Sequence, residues 1–135
     1  MFEISIKTHF SAAHHLEGYP GSCAAIHGHN WGVETFVRGS TLDGTGILVD
    51  FRKLRASVKG VLNEIDHTDL NRFTGFADRN PTSENVAMFL FERLSATLNC
   101  KEYRVARVTV SETPDSHASC WADEDSLRER VLPHD

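Results

Sequence analysis

The segment "CAAIHGHNW", Cys23 to Trp31, brings one thiol and two imidazoles close together in the sequence. His27 and His29 are two positions apart, so on a β-strand they project to the same face. Two imidazoles side by side can ligate one zinc ion, at Zn–N distances of about 2.0–2.1 Å. An isolated H-x-H is weak evidence, because histidines near a sheet end also serve as plain hydrogen-bonding groups. A third ligand is available in "SAAHHL", where His14 shares the parity of Phe10 and the apolar residues before it and is favoured over His15. Three histidines leave zinc a fourth position, as catalytic sites require. If Cys23 fills that position instead, the result is a closed structural site of one cysteine and three histidines.

Cys23 falls in a loop, and loops carry catalytic groups more often than packed strands do. A thiolate beside the metal, without ligating it, can act as a base or nucleophile. "IDHTD" supplies an Asp66–His67 pair. Beside Cys23, His67 would exchange a proton and Asp66 would set its tautomer. Glu112 has the parity of Ala106, Val108 and Val110, so its carboxylate either escapes at the strand end or meets a buried partner.

The elements that must position these groups follow from periodicity. Phe2, Ile4, Ile6, Thr8 and Phe10 share one face of a first strand. "LEGYPGS" is a loop, a second strand runs from about His27 to Arg38, and "STLDGTG" is a turn. Asp50 caps a helix with Phe51, Leu54, Val58, Val61, Leu62 and Ile65 at helical spacing, ending near "IDHTDLN". A second helix occupies "NPTSENVAMFLFERLSATL". Asn80, Thr82 or Ser83 is its cap, Pro81 suits its first turn, and Val86, Phe89, Leu90, Arg93 and Leu94 form its core stripe. "EYRVARVTVSE" and "HASCWAD" are a third and fourth strand around the turn "TPDS". The order ββααββ predicts an α+β domain over residues 1–122, with two helices on one face of a four-stranded antiparallel sheet. Residues 123–135 form a charged tail. The edges of so small a sheet invite a second subunit.

Composition narrows the function classes. With 14 Lys+Arg against 19 Asp+Glu the net charge is −5, which disfavours nonspecific nucleic-acid binding. No apolar run approaches the ~20 residues needed to span a membrane, and "MFEISIKTHF" alternates rather than forming a secretory signal. A cytoplasmic protein is expected. Three widely spaced cysteines argue against a disulfide framework.

Six motifs in order, "FSAAHHL", "CAAIHGHNW", "GILVDF", "LNEIDHTDLN", "NPTSENVA" and "VTVSET", resemble the 6-pyruvoyltetrahydropterin synthase family, over roughly Phe2 to Trp121. The likeness is closest to its bacterial branch, 6-carboxy-5,6,7,8-tetrahydropterin synthase of queuosine biosynthesis. The resemblance implies the T-fold, whose subunits join as trimers and hexamers with active sites at subunit interfaces. It implies Zn2+ held by His14, His27 and His29, Cys23 as proton acceptor, Asp66 and His67 as its relay, and Glu112 as the anchor of the pterin ring and a further member of the relay. The implied substrate is 7,8-dihydroneopterin triphosphate.

In the carboxy branch a carbon–carbon bond of the substrate's side chain breaks and acetaldehyde leaves with triphosphate; in the pyruvoyl branch the carbon skeleton is kept. Three residues separate Cys23 from His27, the shorter spacing of the bacterial carboxy enzymes. A related subgroup lacks this cysteine arrangement and makes a different product. The reading from another class is a non-catalytic module in which Cys23 and three histidines bind structural zinc. Lys7, Arg38, Arg52, Lys53 and Arg55 are candidates for holding the triphosphate, although each taken alone reads better as a solvated charge. His117 and Cys120 read as ordinary last-strand residues.

Overall fold

The computed structural model describes residues 1–123; most of the expected charged tail, residues 124–135, lies outside the described residues. Strand β1 (Phe2–His14) pairs antiparallel with β2 (His27–Gly39) in one unbroken register, from Phe2 opposite Gly39 to His14 opposite His27. After β2 come helix α1 (Phe51–Leu62), a two-residue strand β3 (Thr68–Asp69), helix α2 (Ser83–Leu98), β4 (Arg104–Thr113) and β5 (Ser116–Cys120). The sheet order is β3-β1-β2-β4-β5.

The sheet is therefore five-stranded and mixed, not four-stranded and antiparallel as the sequence predicts. β3 runs parallel to β1, with Thr68 opposite Ala12 and Asp69 opposite Ala13. The cause is local. The segment leaving α1 is tied to the edge of β1 by the Asp66 carboxylate, which accepts from Ser11 N at 2.9 Å, and by the His67 N–H, which donates to Ser11 O. Two residues are too few to carry a period, so no sequence pattern announces this strand.

Period two sets the buried face of the sheet. Ile6, Phe10 and Ala12 of β1, Trp31, Val33 and Val37 of β2, and Val105, Val108 and Val110 of β4 are buried. Leu54, Val58, Val61 and Leu62 of α1, and Val86, Ala87, Phe89, Leu90, Leu94 and Leu98 of α2, close over that face. Asp50 caps α1, its side chain accepting from Arg52 N at 2.8 Å.

Three expectations change at the helix starts and rims. Phe51 is 55% exposed, because the first helical residue projects before the stripe reaches the sheet. Thr82 caps α2 and accepts from Asn85 N at 3.1 Å, so Pro81 precedes the helix rather than opening it. Arg93 is no core residue: its guanidinium sits 5.6 Å over the Phe89 ring and bonds Glu64 at 2.7 Å beyond the end of α1. Among the described residues no helix is long and apolar enough to cross a membrane.

Leu54 is fully buried, so Leu54→Ala should cost roughly 2–5 kcal/mol, the usual range for a buried leucine. Denaturant unfolding should show a lower midpoint with an unchanged slope. A loss below about 1 kcal/mol would mean that α1 does not seal the core.

Candidate metal centre

The β1–β2 register puts His14 directly opposite His27, and the period of β2 puts His29 on the same face. The three rings meet edge to face, with centroids 4.5 Å apart for His14–His27, 4.8 Å for His27–His29 and 5.2 Å for His14–His29. Trp31 is fully buried next along the face, its ring 4.9 Å from His14 and 5.6 Å from His29. It stacks on Phe10 at 5.7 Å and gives the rings an apolar floor.

Backbone carbonyls fix two of the rings. His14 Nδ1 lies 2.8 Å from Pro81 O, and His27 Nδ1 lies 2.7 Å from Ala25 O. A carbonyl oxygen only accepts, so each Nδ1 carries the hydrogen and each Nε2 presents its lone pair. Burial pulls the His29 pKa below its ordinary value, against the opposing attraction of Glu112, which favours a neutral, ligand-competent ring.

Glu112 completes the cluster. It follows Val108 and Val110 on the buried face of β4, one residue beyond the last β2–β4 pair, Gly32 opposite Ser111. Its Oε1 lies 2.9 Å from His14 Nε2 and 3.0 Å from His29 Nε2. Neither approach is aligned as a hydrogen bond, and both nitrogens are buried without a hydrogen-bond partner. A buried lone pair on a neutral His14 thus faces an oxygen of the partly exposed Glu112 carboxylate, which is repulsive as it stands. A cation among these atoms turns the repulsion into coordination. One ligand atom from each of His14, His27, His29 and Glu112 lies within 4.8 Å of the others. Ligands of a tetrahedral metal at about 2.0–2.1 Å stand about 3.3 Å apart, so the donor types suit a divalent ion, which would draw the more distant of them inward.

Cys23 is not in this group. It is half-buried in the short 3-10 turn Ser22–Ala24, whose place is held by the Leu16 N–H donating to Cys23 O at 2.9 Å. The carboxylate of Glu112, not the sulfur, stands fourth among the histidines. His15, the sequence neighbour of His14, also stays outside the group; its ring is 3.8 Å from the Glu17 carboxylate.

Asp66 and His67 form a second, separate cluster. Asp66 Oδ1 lies 2.9 Å from His67 Nδ1. The Ser11 N–H, partly offset by burial and aided by His67, holds the Asp66 carboxyl below its usual range. His67 has φ +60°, the only non-glycine residue with positive φ among the described residues. A bulky residue in that region carries strain of about 1–3 kcal/mol, and here the two bonds to Ser11 hold it. Its ring is largely exposed, with Nδ1 turned to Asp66. No hydrogen bond or ion pair joins Cys23 to this pair among the described residues of a single subunit. His117 is exposed on β5. Cys120 packs partly against the core, and burial, then the Glu92 charge, pushes its thiol pKa up.

Two asparagines hold the segment that leaves β1 after His14, and one of them, Asn80, does this instead of capping α2. Asn71 accepts from His15 N at 2.9 Å and donates to His15 O at 3.0 Å; Asn80 does the same to Glu17 at 2.9 and 2.8 Å. Each amide imitates a strand partner for the segment leaving β1. Asn85 in turn donates to Asn80 O at 2.8 Å, which anchors the Pro81 carbonyl region to α2. Asn71 and Asn80 both fall in the motifs quoted above, but residue type alone does not reveal an asparagine's backbone partner.

A layered α+β domain with a cluster of three histidines and a carboxylate that could hold a metal ion at one end of its sheet defines the class. The chain matches the description "6-pyruvoyl tetrahydropterin synthase" over residues 3–123, and it belongs to that family. It is 36% identical over 123 residues to the 6-carboxy-5,6,7,8-tetrahydropterin synthase of Bacillus subtilis, covering 86% of this chain and 82% of the relative. It is 35% identical over 95 residues to the dihydroneopterin monophosphate aldolase of Pyrococcus furiosus, covering 70% and 76%. In three dimensions it superposes on the 6-pyruvoyl tetrahydropterin synthase of Caenorhabditis elegans with a TM-score of 0.80 at 28% identity, covering 90% of this chain and 96% of that one.

Alanine at His14, His27 or His29 should each reduce bound divalent metal from one ion per subunit to below about a tenth, since a ligand set cut by one loses most of its affinity. His15→Ala should retain the full ion. Elemental analysis after exhaustive dialysis reads the outcome, and metal loss in His15→Ala alone would reverse the assignment.

Proposed function

We propose that this protein is a zinc-dependent 6-carboxy-5,6,7,8-tetrahydropterin synthase of queuosine biosynthesis. It converts 7,8-dihydroneopterin triphosphate, with uptake of water, to the carboxylated tetrahydropterin, acetaldehyde and triphosphate. The observation that carries the reading is the convergence of His14, His27 and His29 with the Cys23 sulfur outside that set. Such a site has metal chemistry and a separate thiol for proton chemistry. The likeness to the Bacillus subtilis relative and the three-residue gap between Cys23 and His27 support the carboxy branch.

A bound zinc ion supplies Lewis acidity that lowers the pKa of the substrate's side-chain hydroxyls. Cys23 removes a proton from the activated side chain. His67 exchanges that proton with the thiol, and Asp66 holds the imidazole in the tautomer that leaves Nε2 free. Glu112 accepts from the ring N–H and amino group of the pterin, and its position beside the histidines joins ring recognition to the metal site. Trp31 and Phe10 keep the floor dry, which strengthens every charge interaction above them.

Cys23 and the Asp66–His67 pair are unconnected within one subunit, and β1 from Phe2 to Phe10 has no strand partner on its outer edge among the described residues. Both features support an oligomer, a trimer or hexamer, in which Asp66 and His67 of one subunit serve Cys23 of another. Retention of the carbon skeleton, giving 6-pyruvoyltetrahydropterin, is the second reading; the structural likeness to the Caenorhabditis elegans enzyme favours it.

Incubation with dihydroneopterin triphosphate, followed by mass spectrometry, should yield acetaldehyde and 6-carboxytetrahydropterin. Triphosphate loss without acetaldehyde would assign the pyruvoyl reaction instead. Cys23→Ala should keep one zinc per subunit and lose turnover by about two orders of magnitude or more, the usual contribution of a positioned proton-transfer group. Loss of zinc in this variant, or full activity, would contradict the role.

A further inference from the structure

Helix α1 carries four cations, Arg52, Lys53, Arg55 and Lys59, and no carboxylate. Three of the four fall in its first five residues, where the positive end of the helix dipole opposes them. In a protein with net charge −5 this is a costly concentration of like charge. Arg52, Arg55 and Lys59 succeed one another at i, i+3 and i+7 and so share a face. That face meets the unpaired edge of β1, where Arg55 Nη1 donates to Lys7 O at 3.0 Å.

Between β1 and α1 lies a hollow of about 430 Å3, lined in part by Lys7, His9, Arg55, Lys59, Asp66 and His67. That volume falls within the usual range of small-molecule clefts, about 300–1,000 Å3. None of Lys7, Arg55 or Lys59 forms an ion pair among the described residues, whereas Arg38, Arg72, Arg79 and Arg93 all do. Asp66, the one carboxylate lining the hollow, is committed to the Ser11 N–H and to His67. The hollow contains no member of the metal cluster, yet it begins at His67, the residue that exchanges the proton in the proposed reaction.

We propose that this hollow is a polyphosphate subsite, in which Arg55 and Lys59 hold the triphosphate end of the substrate. The assignment rests on the reading of the substrate as a pterin triphosphate. A guanidinium grips two phosphate oxygens at once and an ammonium adds a mobile point charge. When the C–O bond to the triphosphate breaks, its electron pair stays on the departing oxygen, and these cations face the charge that develops. Of the cations the sequence offered for this task, Arg38 is committed to Glu3 and Lys53 lies outside the hollow, its Nζ 3.5 Å from the Tyr103 hydroxyl.

The test is calorimetric titration of the metal-loaded, full-length protein with inorganic triphosphate, with metal content measured before and after so that chelation is not scored as binding. Arg55→Gln and Lys59→Gln, both at exposed positions, should each weaken binding about tenfold, as loss of a charge-assisted contact does. Lys53→Gln removes the same charge from the same helix outside the hollow and should change binding less than about twofold. Far-UV circular dichroism checks that each variant is folded. Equal weakening by all three substitutions would mean diffuse attraction and overturn the subsite, as would unchanged binding in Arg55→Gln and Lys59→Gln. Acetaldehyde release by the unmodified protein is measured in parallel. Release alongside variants that bind normally rejects the subsite and keeps the lyase, while selective weakening without release keeps the subsite and rejects the lyase.

Discussion

At the end of the sheet a buried imidazole lone pair confronts a partly exposed carboxylate, and this confrontation governs the rest of the structure. His14 Nε2 has no hydrogen-bond partner, is sealed from water and lies 2.9 Å from a Glu112 oxygen. Burying an unpaired polar atom costs free energy, and facing it with a carboxylate adds to the cost. The arrangement persists because the surrounding fold over-determines it. Pro81 O fixes the ring from behind, Asn80 and Asn85 fix the Pro81 region, and the β1–β2 register leaves His14 no position except opposite His27. A proton would reverse the sign of one such contact, whereas a divalent cation answers all the converging donors at once, and that accounts for an otherwise apolar strip ending in three imidazoles with a carboxylate beside them.

Much of this was legible in the sequence because parity is a strong constraint. The alternation from Ile6 to His14 and from His27 to Val37 fixes which side chains share a face before any coordinate is known. It also separates His14 from His15, which the structure puts outside the cluster. Helix caps were readable to within a residue or two, since Asp50 and Thr82 carry the oxygen that an N-terminal N–H needs. What was not legible depends on contacts without period. β3 exists because two bonds to Ser11 draw a two-residue segment alongside β1. Arg93 lies on the stripe of α2 but at its rim, where Glu64 and the face of Phe89 are better partners than the core. The carbonyls that set the histidine tautomers belong to Pro81 and Ala25, and a backbone carbonyl leaves no trace in residue identity.

The proposed division of labour between the two clusters rests on the same geometry. The histidines sit over Trp31, deep enough for burial to hold the His29 pKa down. His67 sits out in solvent, held in a left-handed backbone conformation by the edge of β1. A proton carrier needs access to a partner and to water, whereas a ligand set needs rigidity and dryness. In the proposed oligomer the two would meet between subunits, at the open edge of β1 beside the Asp66–His67 turn.

In the proposed site three imidazoles hold the metal while the Cys23 thiol stays off it. X-ray absorption at the zinc edge tests this most directly. The account predicts a first shell of nitrogen and oxygen scatterers at about 2.0–2.1 Å with histidine outer-shell features and no sulfur. A sulfur scatterer at about 2.3 Å in the substrate-free protein would make Cys23 a ligand and contradict the account.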